Sequence, residues 1–335
     1  MTSTILVTGG TGFIGSHTTV ALQQAGYGVV ILDNLSNSST TVLDRIEQIT
    51  GIKPAFVKGD IRDAQTLDEL FQSHSITAVM HFAGLKAVGE STQQPLSYYD
   101  NNVNGSVQLL NAMKKAGVRT FIFSSSATVY GDPQKLPITE DHPRSATNPY
   151  GHTKLIIEDI LENLYLAEAG WGIARLRYFN PVGAHPSGLI GEAPQGTPNN
   201  LMPYVAQVAA GKRKGLQVFG NDYNTPDGTG VRDYIHITDL AEGHVAALRY
   251  CEQNQHELLT VNLGTGIGYS VLDMVKAFEE ASHKPIPYDL VARRPGDIAA
   301  CWADTNLAYE KLGWKAAKGV KEMCDDAWRW ETLRA

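Results

Sequence analysis

Tyr150 and Lys154, four residues apart in the stretch "NPYGHTK", are the pair in this chain best suited to moving a proton. Asn148 suits a helix N-cap and Pro149 the first helical position, so a helix is expected to begin at Pro149 with Tyr150 in its first turn. Residues at i and i+4 share one helix face. A phenol with an ordinary pKa near 10 is a poor base at neutral pH. An ammonium about 5 Å away, at an effective dielectric of about 20, favours the phenolate by about 3 kcal/mol, or ~2 pKa units. The positive end of the helix acts in the same direction. Tyr150 is therefore a candidate general base and acid for a substrate hydroxyl, and Lys154 the group that tunes it. His152, between them, reads as a helix surface residue.

A second motif says what such a pair would serve. In "TGGTGFIG", Gly10, Gly12 and Gly15 match GxGxxG, and Gly9, Gly12 and Gly15 match the variant GxxGxxG. Both fall between an apolar run that reads as a strand and a segment with helical periodicity. Asp33 ends the next strand, roughly 20 residues on, where a carboxylate can accept hydrogen bonds from an adenosine ribose. The glycines let the backbone approach a pyrophosphate, and the helix start stabilises its charge. A carboxylate at Asp33 repels a 2′-phosphate, which favours NAD over NADP. A nicotinamide cation near Tyr150 would favour the phenolate further. "GTGIGYS", Gly264 to Ser270, also alternates glycines, but no second strand ending in an acid follows, so it is expected to be structural, with Ser270 capping a helix.

The third element is "FIFSSSATVYG". It places three hydroxyls at the carboxyl end of an expected parallel strand, the edge where open α/β sheets bind ligands.

These residues need a scaffold, and the first half of the chain alternates in the way that supplies one. "TILVTG", "GVVILDN", "AFVKGD", "ITAVMHFAG" and "RTFIFSSS" are apolar runs, separated by helical patterns over about residues 39–50 and 64–74, one ending near Gly117, and the helix at Pro149. Apolar strands alternating with helices imply a doubly wound parallel α/β sheet covered on both faces. After "ARLRYFN" the stretch "PVGAHPSGLIGEAPQGTPNN" loses periodicity and reads as a long ordered functional loop. A dinucleotide-binding domain over 1–180 and a smaller mixed α/β substrate domain over 181–335 are expected, with some later segments returning to the first.

Bulk properties narrow the partners. The 335 residues carry a net charge of −7 and 43% hydrophobic content, with no block of like charges. That argues against nucleic-acid and membrane surfaces. Lys212 to Lys214 reads as a solvated turn. Three cysteines, Cys251, Cys301 and Cys324, with no CxxC spacing, fit a reducing compartment and neither disulfides nor a metal site. No signal segment or membrane span is legible, and a cytoplasmic location is expected.

TGGxGxIG, SSSATVYG and YxxxK together resemble the extended short-chain dehydrogenases/reductases. "HFAGLKAVGES", "YYDNNVNG", "RYFNPVGAHPSG", "PNNLMPY", "FGNDY", "DGTGVRDYIHI" and "RRPGD" are similar to stretches of the UDP-glucose (UDP-galactose) 4-epimerase family, along nearly the whole chain. The resemblance implies tightly bound NAD and a reaction that takes hydride from C4 of the sugar and returns it to the opposite face of a 4-keto intermediate. It implies Tyr150 as the O4 proton carrier, Lys154 on the nicotinamide ribose and Ser126 on O4. It assigns cofactor contacts to Gly9, Gly12, Phe13, Ile14, Gly15, Asp33, Asn34, Leu35, Ser36, Asn37, Ser38, Asp60, Ile61, Phe82, Ala83, Gly84, Leu85, Lys86, Asn101 and Phe179, besides Ser126, Tyr150 and Lys154. It assigns UDP-sugar contacts to Asn180, Asn200, Leu201, Phe219, Arg232, Arg294, Asp297 and Cys301, besides Ser126 and Tyr150. Arg232 and Arg294 are planar cations suited to a diphosphate, and Asn180 and Asn200 can orient it without adding charge. A homodimer through about 96–116 and 150–168 is also implied.

Two departures stand out. Gly-His-Thr-Lys replaces the family's frequent Gly-Lys-Ser-Lys, leaving Tyr150 and Lys154 in place. Cys301 stands where some members carry a tyrosine that narrows the sugar pocket, so room for N-acetylated sugars is expected. A nucleotide-sugar 4,6-dehydratase would need an Asp-Glu pair where this chain has Ala127 and Thr128. A non-catalytic NAD sensor would have no use for Ser126, Tyr150 and Lys154.

Overall fold

The computed structural model describes residues 3–294 and 296–334; Pro295, inside the "RRPGD" stretch, lies outside the described residues. The strands in chain order are β1 (Thr4–Thr8), β2 (Gly28–Asp33), β3 (Ala55–Lys58), β4 (Ile76–His81), β5 (Thr120–Ser126), β6 (Gly172–Tyr178), β7 (Asn180–Val182), β8 (Leu216–Phe219), β9 (Val231–His236), β10 (Leu258–Leu263), β11 (Gly268–Ser270), β12 (Tyr288–Val291) and β13 (Ala300–Cys301). Seven of them form one sheet in the order β10-β6-β5-β4-β1-β2-β3. Every pairing in it is parallel. From β1 the chain steps outward to β3, then returns to place β4 on the other side of β1. The order reverses there, and the strand ends leave a crevice for a ligand.

Successive side chains of a strand face opposite sides. Ile5 and Val7 accordingly join one apolar cluster, with Val20 and Leu22 of the helix Phe13–Gln24 and Leu240 and Val245 of the helix Ile237–Gln253. Leu6 joins the other, with Leu109 and Met113 of the helix Gly105–Ala116 and Ile157 and Leu161 of the helix Pro149–Ala167. Both faces are covered, which is why these strands read as unbroken apolar runs rather than alternating ones. The chain after residue 180 does return to this sheet, because β10 forms its edge and the helix Ile237–Gln253 packs on its face.

The rest builds a smaller layer around β9, which pairs with β7 and β13 in parallel and with β11 antiparallel; β8 and β12 form a separate parallel pair. Beneath them Met202, Val205, Met274, Phe278, Met323 and Ala327 make a further apolar cluster.

The glycine pattern at 264–270 has a structural use. Asp233 of β9 is fully buried, and it accepts hydrogen bonds from the backbone N–H of Thr265 (2.8 Å), Gly266 (2.9 Å) and Ala303 (3.1 Å). A Cβ on Gly264 would lie 2.5 Å from Asp233 Oδ2. Ser270 caps the helix Val271–Ser282, its Oγ accepting from the Asp273 N–H. Asp233→Ala would leave three buried donors unpaired, and a loss of about 3–5 kcal/mol is expected. Urea unfolding followed by far-UV circular dichroism measures it, and a loss below about 1 kcal/mol, the size of one ordinary net hydrogen bond, would show that Asp233 does not hold these segments.

Candidate active site

The glycine turn is shaped by close approach. Gly9 has a φ of +69° and an added Cβ would lie 2.7 Å from the Ala83 nitrogen, while one on Gly15 would lie 2.3 Å from the Gly9 carbonyl. No side chain caps the following helix at Gly12. The first-turn amides of Phe13 to Gly15 are thus presented in a cradle that side chains would fill, the arrangement that suits a pyrophosphate.

Asp33 lies at the end of β2 beside this turn. Its carboxylate accepts from Thr11 N (3.1 Å), Leu35 N (2.9 Å) and Ser38 Oγ (3.2 Å). Three partners leave one of about four acceptor positions for a ribose hydroxyl. Asn34 donates to Asp60 Oδ2 at 3.0 Å and its own Oδ1 accepts from Ser36 N. Arg62, bonded twice to Asp60, holds that carboxyl far below its usual range. The structure thus brings together residues 33–38 and 60–61 at the ends of β2 and β3.

At the end of β4 the segment 82–86 is held by Asn102. Asn102 accepts from Leu85 N (2.8 Å) and donates to Leu85 O (3.0 Å) and to Thr153 Oγ1 (3.0 Å) on the Tyr150 helix. The expected contact residue, Asn101, donates to Asn102. Sequence reasoning missed Asn102. Its only signal was an asparagine pair within a helical stretch, which widens here to a π-helical turn over Tyr99–Asn104, a form often found at functional sites.

Tyr150 sits in the first turn of the helix Pro149–Ala167, with Asn148 Oδ1 accepting from Gly151 N at 2.9 Å. Lys154, 6% exposed, donates from Nζ to the Ser124 carbonyl at 2.7 Å. Its ammonium lies 4.9 Å from the Phe123 ring centre and 6.0 Å from that of Tyr150. Ser126 Oγ accepts from Thr128 N (3.2 Å) and Thr128 Oγ1 (3.0 Å), which leaves its own proton to donate. The expected depression of the Tyr150 pKa by Lys154 is not what the protein groups produce. Burial pushes the phenol above its ordinary value, and a hydrogen bond from Ser126 is the group that pulls it back. Desolvation of the phenolate outweighs a cation that already donates to a carbonyl. His152 is exposed, as expected.

The UDP-sugar candidates are less tightly grouped. Arg232 and Cys301 are directly opposite in the β9–β13 pairing, and Asn180 is opposite Tyr234 in the β7–β9 pairing. Cys301, 7% exposed, packs in one cluster with Phe179 and Val129, and burial pushes its thiol up to about 12. The Arg294 guanidinium stands 4.7 Å from the Phe219 ring centre and pairs with Asp297 at 2.9 Å. Asn200 donates to Glu192 Oε1 (2.7 Å), which also receives Lys86 Nζ (3.1 Å). Leu201 begins the helix Leu201–Ala209 and packs on the small-layer cluster. Glu192, which sequence reasoning did not single out, thereby joins a cofactor candidate to a substrate candidate.

A parallel sheet whose switch point opens on a glycine cradle, with a phenol, an ammonium and a hydroxyl at the neighbouring strand end, defines the extended short-chain dehydrogenase/reductase class. A model of the GDP-mannose 4,6 dehydratase family matches residues 6–327. The UDP-glucose 4-epimerase of Bacillus subtilis is 60% identical over 328 residues, 98% of this chain and 96% of that protein. The crystal structure of the Stenotrophomonas maltophila UDP-glucose-4-epimerase with bound NAD and formylated UDP-arabinopyranose has a TM-score of 0.97 at 53% identity, covering 99% and 98% of the two chains. That of the Bifidobacterium longum UDP-glucose 4-epimerase in complex with NAD+ and UDP has a TM-score of 0.96, also at 53% identity and the same coverage. The chain belongs to the UDP-glucose 4-epimerase family, NAD-dependent isomerases that interconvert UDP-galactose and UDP-glucose. Ala127 and Thr128 provide no carboxyl for a dehydratase, and Thr128 is instead engaged in orienting Ser126.

Gly15→Ala is expected to displace the cradle and lower the NAD content of the purified protein at least about tenfold, since its Cβ would press on a carbonyl rather than on a flexible side chain. Cofactor released by heat and quantified enzymatically gives the readout; full occupancy in the variant would contradict the cradle.

Proposed function

We propose that Tyr150 removes and returns the proton of the sugar O4, with Ser126 donating a hydrogen bond to that oxygen and Lys154 holding the nicotinamide ribose and the charge balance of the pair. The observation that carries this reading is the meeting of Ser126, Tyr150 and Lys154 at the end of β5, beside the glycine cradle. Bound NAD supplies the acceptor and donor of the C4 hydride. The protein's own groups leave the phenol above its ordinary value, and Ser126 is the neighbour that favours its ionised form. A bound nicotinamide cation would favour that form further.

Gly9, Gly12, Phe13, Ile14 and Gly15 hold the pyrophosphate, residues 33–38 and 60–61 the adenosine, and 82–86, Asn101 and Phe179 the nicotinamide half. Arg232 and Arg294 take the diphosphate of the UDP-sugar, with Asn180, Asn200, Leu201, Phe219 and Asp297 around it. Residues 1–180 form the cofactor domain and 181–335 the sugar-nucleotide domain, less the helix Ile237–Gln253 and β10. We infer a homodimer through about 96–116 and 150–168, supported by the exposure of Leu96 and Leu166 on those segments. A cytoplasmic location is supported by three unpaired cysteines, and among the described residues no helix is long and apolar enough to cross a membrane.

Purified protein given UDP-galactose without added NAD is expected to form UDP-glucose; a 4-keto-6-deoxy sugar would mark a dehydratase, and no product a sensor. Tyr150→Phe is expected to lower kcat by roughly 10²–10⁴ with NAD still bound. An unchanged kcat would remove Tyr150 from the chemistry.

Cys301 leaves room beside the sugar for an N-acetyl group, so UDP-GlcNAc and UDP-GalNAc are substrates in this reading. Its support is this small side chain in one cluster with Phe179, on a strand residue paired with Arg232. Cys301→Tyr should abolish the N-acetyl activity and spare that on UDP-galactose, as measured by parallel rate assays; equal loss of both would refute it.

A further inference from the structure

Behind the reacting groups a carboxylate with no access to water ties the catalytic helix to the sheet. Glu158 is 0% exposed and lies one helical turn beyond Lys154, as Lys154 lies beyond Tyr150. Its Oε1 accepts from Ser125 Oγ (2.6 Å) and Arg177 Nε (2.9 Å), and its Oε2 from Arg177 Nη2 (2.7 Å) and Arg144 Nη1 (3.3 Å). These donors fill about all the acceptor positions of a carboxylate. Arg177 also donates to Tyr130 Oη (3.0 Å) and the Glu140 carbonyl (2.9 Å), and Tyr130 donates to Asn262 Oδ1 (2.6 Å). Three successive turns of one helix therefore meet one strand end: Tyr150 at Ser126, Lys154 at the Ser124 carbonyl, Glu158 at Ser125.

We propose that Glu158 is a positioning residue for the epimerisation, fixing this helix in register on β5 through Ser125 and Arg177 and keeping Lys154 as an ammonium where Tyr150 works. The proposal rests on the functional reading above. For stability alone a well-packed apolar pair commonly serves as well as a buried ion pair, so charges here call for another use.

The groups facing Lys154 bear this out. Burial pushes the ammonium down to about 8, and Glu158 is the charge that opposes this. His81 on β4 faces Lys154 and is held neutral, its pKa brought to about 3 by burial and then by Lys154 itself. Tyr178 on β6 hydrogen-bonds Ser124. Arg177 and Arg175 on β6 and Arg144 before the helix turn their guanidinium groups to Glu158 or its neighbours Glu162 and Asp159. The sign follows. Below about pH 8 Lys154 is charged; removing the Glu158 charge lowers its pKa, so the ammonium is lost at a lower pH.

The test is Glu158→Gln in the NAD-loaded enzyme, with kcat and KM for UDP-galactose measured across pH. Expected are a KM within about twofold of the parent, a kcat at pH 8 about tenfold lower, and a basic limb moved down by about one pH unit. Glu158→Asp should restore part of the limb position. If Glu158→Gln does not fold, Glu158→Gln combined with Arg177→Met, which leaves no unpaired charge there, should move the limb in the same direction by less, because loss of the Arg177 cation offsets part of the change. A basic limb that coincides with the parent's in the folded variant overturns the proposal alone. A parent that does not convert UDP-galactose overturns the functional reading and this proposal with it.

Discussion

A charged lysine kept out of water is the constraint on which the catalytic edge depends. Transferring an ammonium into a protein interior is unfavourable unless polar groups replace its hydration. Here the replacement is assembled from both sides: the Ser124 carbonyl accepts from Lys154, the Phe123 ring offers its face, and the carboxylate of Glu158 lies on the next turn. Each of these belongs to β5 or to the helix that crosses it. The position of the lysine therefore fixes the contact between strand and helix, and that contact sets where Tyr150 and Ser126 meet.

Neutral donors do much of the remaining alignment. Thr128 gives both its N–H and its hydroxyl proton to Ser126, so the serine has one direction left in which to donate. Asn102 serves the cofactor side in the same way, tying the segment after β4 to Thr153 on the catalytic helix. Fixed dipoles of this kind would lose little reorganisation energy if charge moves, as proposed, between substrate oxygen and phenol. The phenol itself responds to its surroundings more than to its nearest protein cation, because burial penalises the phenolate directly.

Much of this was readable from short spacings. The glycine turn, the acid closing β2, the helix starting at Pro149 and the capping by Ser270 are local signals, each set by residues within a few positions of one another, and each appears where the sequence places it. What stayed hidden depends on distance along the chain. Glu158 pairs with Arg177 across a helix, a loop and a strand; Asp233 gathers Thr265 and Ala303; β10 returns to the first sheet after a long excursion. No periodicity encodes such meetings. The burial of Tyr150 has the same origin, since the i, i+4 spacing gives the proximity of a cation while desolvation depends on everything that covers the pair.

Glu192 receives Lys86, from the segment after β4, and Asn200, from the residue before the helix Leu201–Ala209, on one carboxylate oxygen. A ketone that drifted out before reduction would leave the enzyme with its redox carrier in the wrong state and no partner to reset it. If Lys86 and Asn200 flank the two ligands as proposed, a single shared acceptor couples the two flanks, so that what shifts one would be felt at the other.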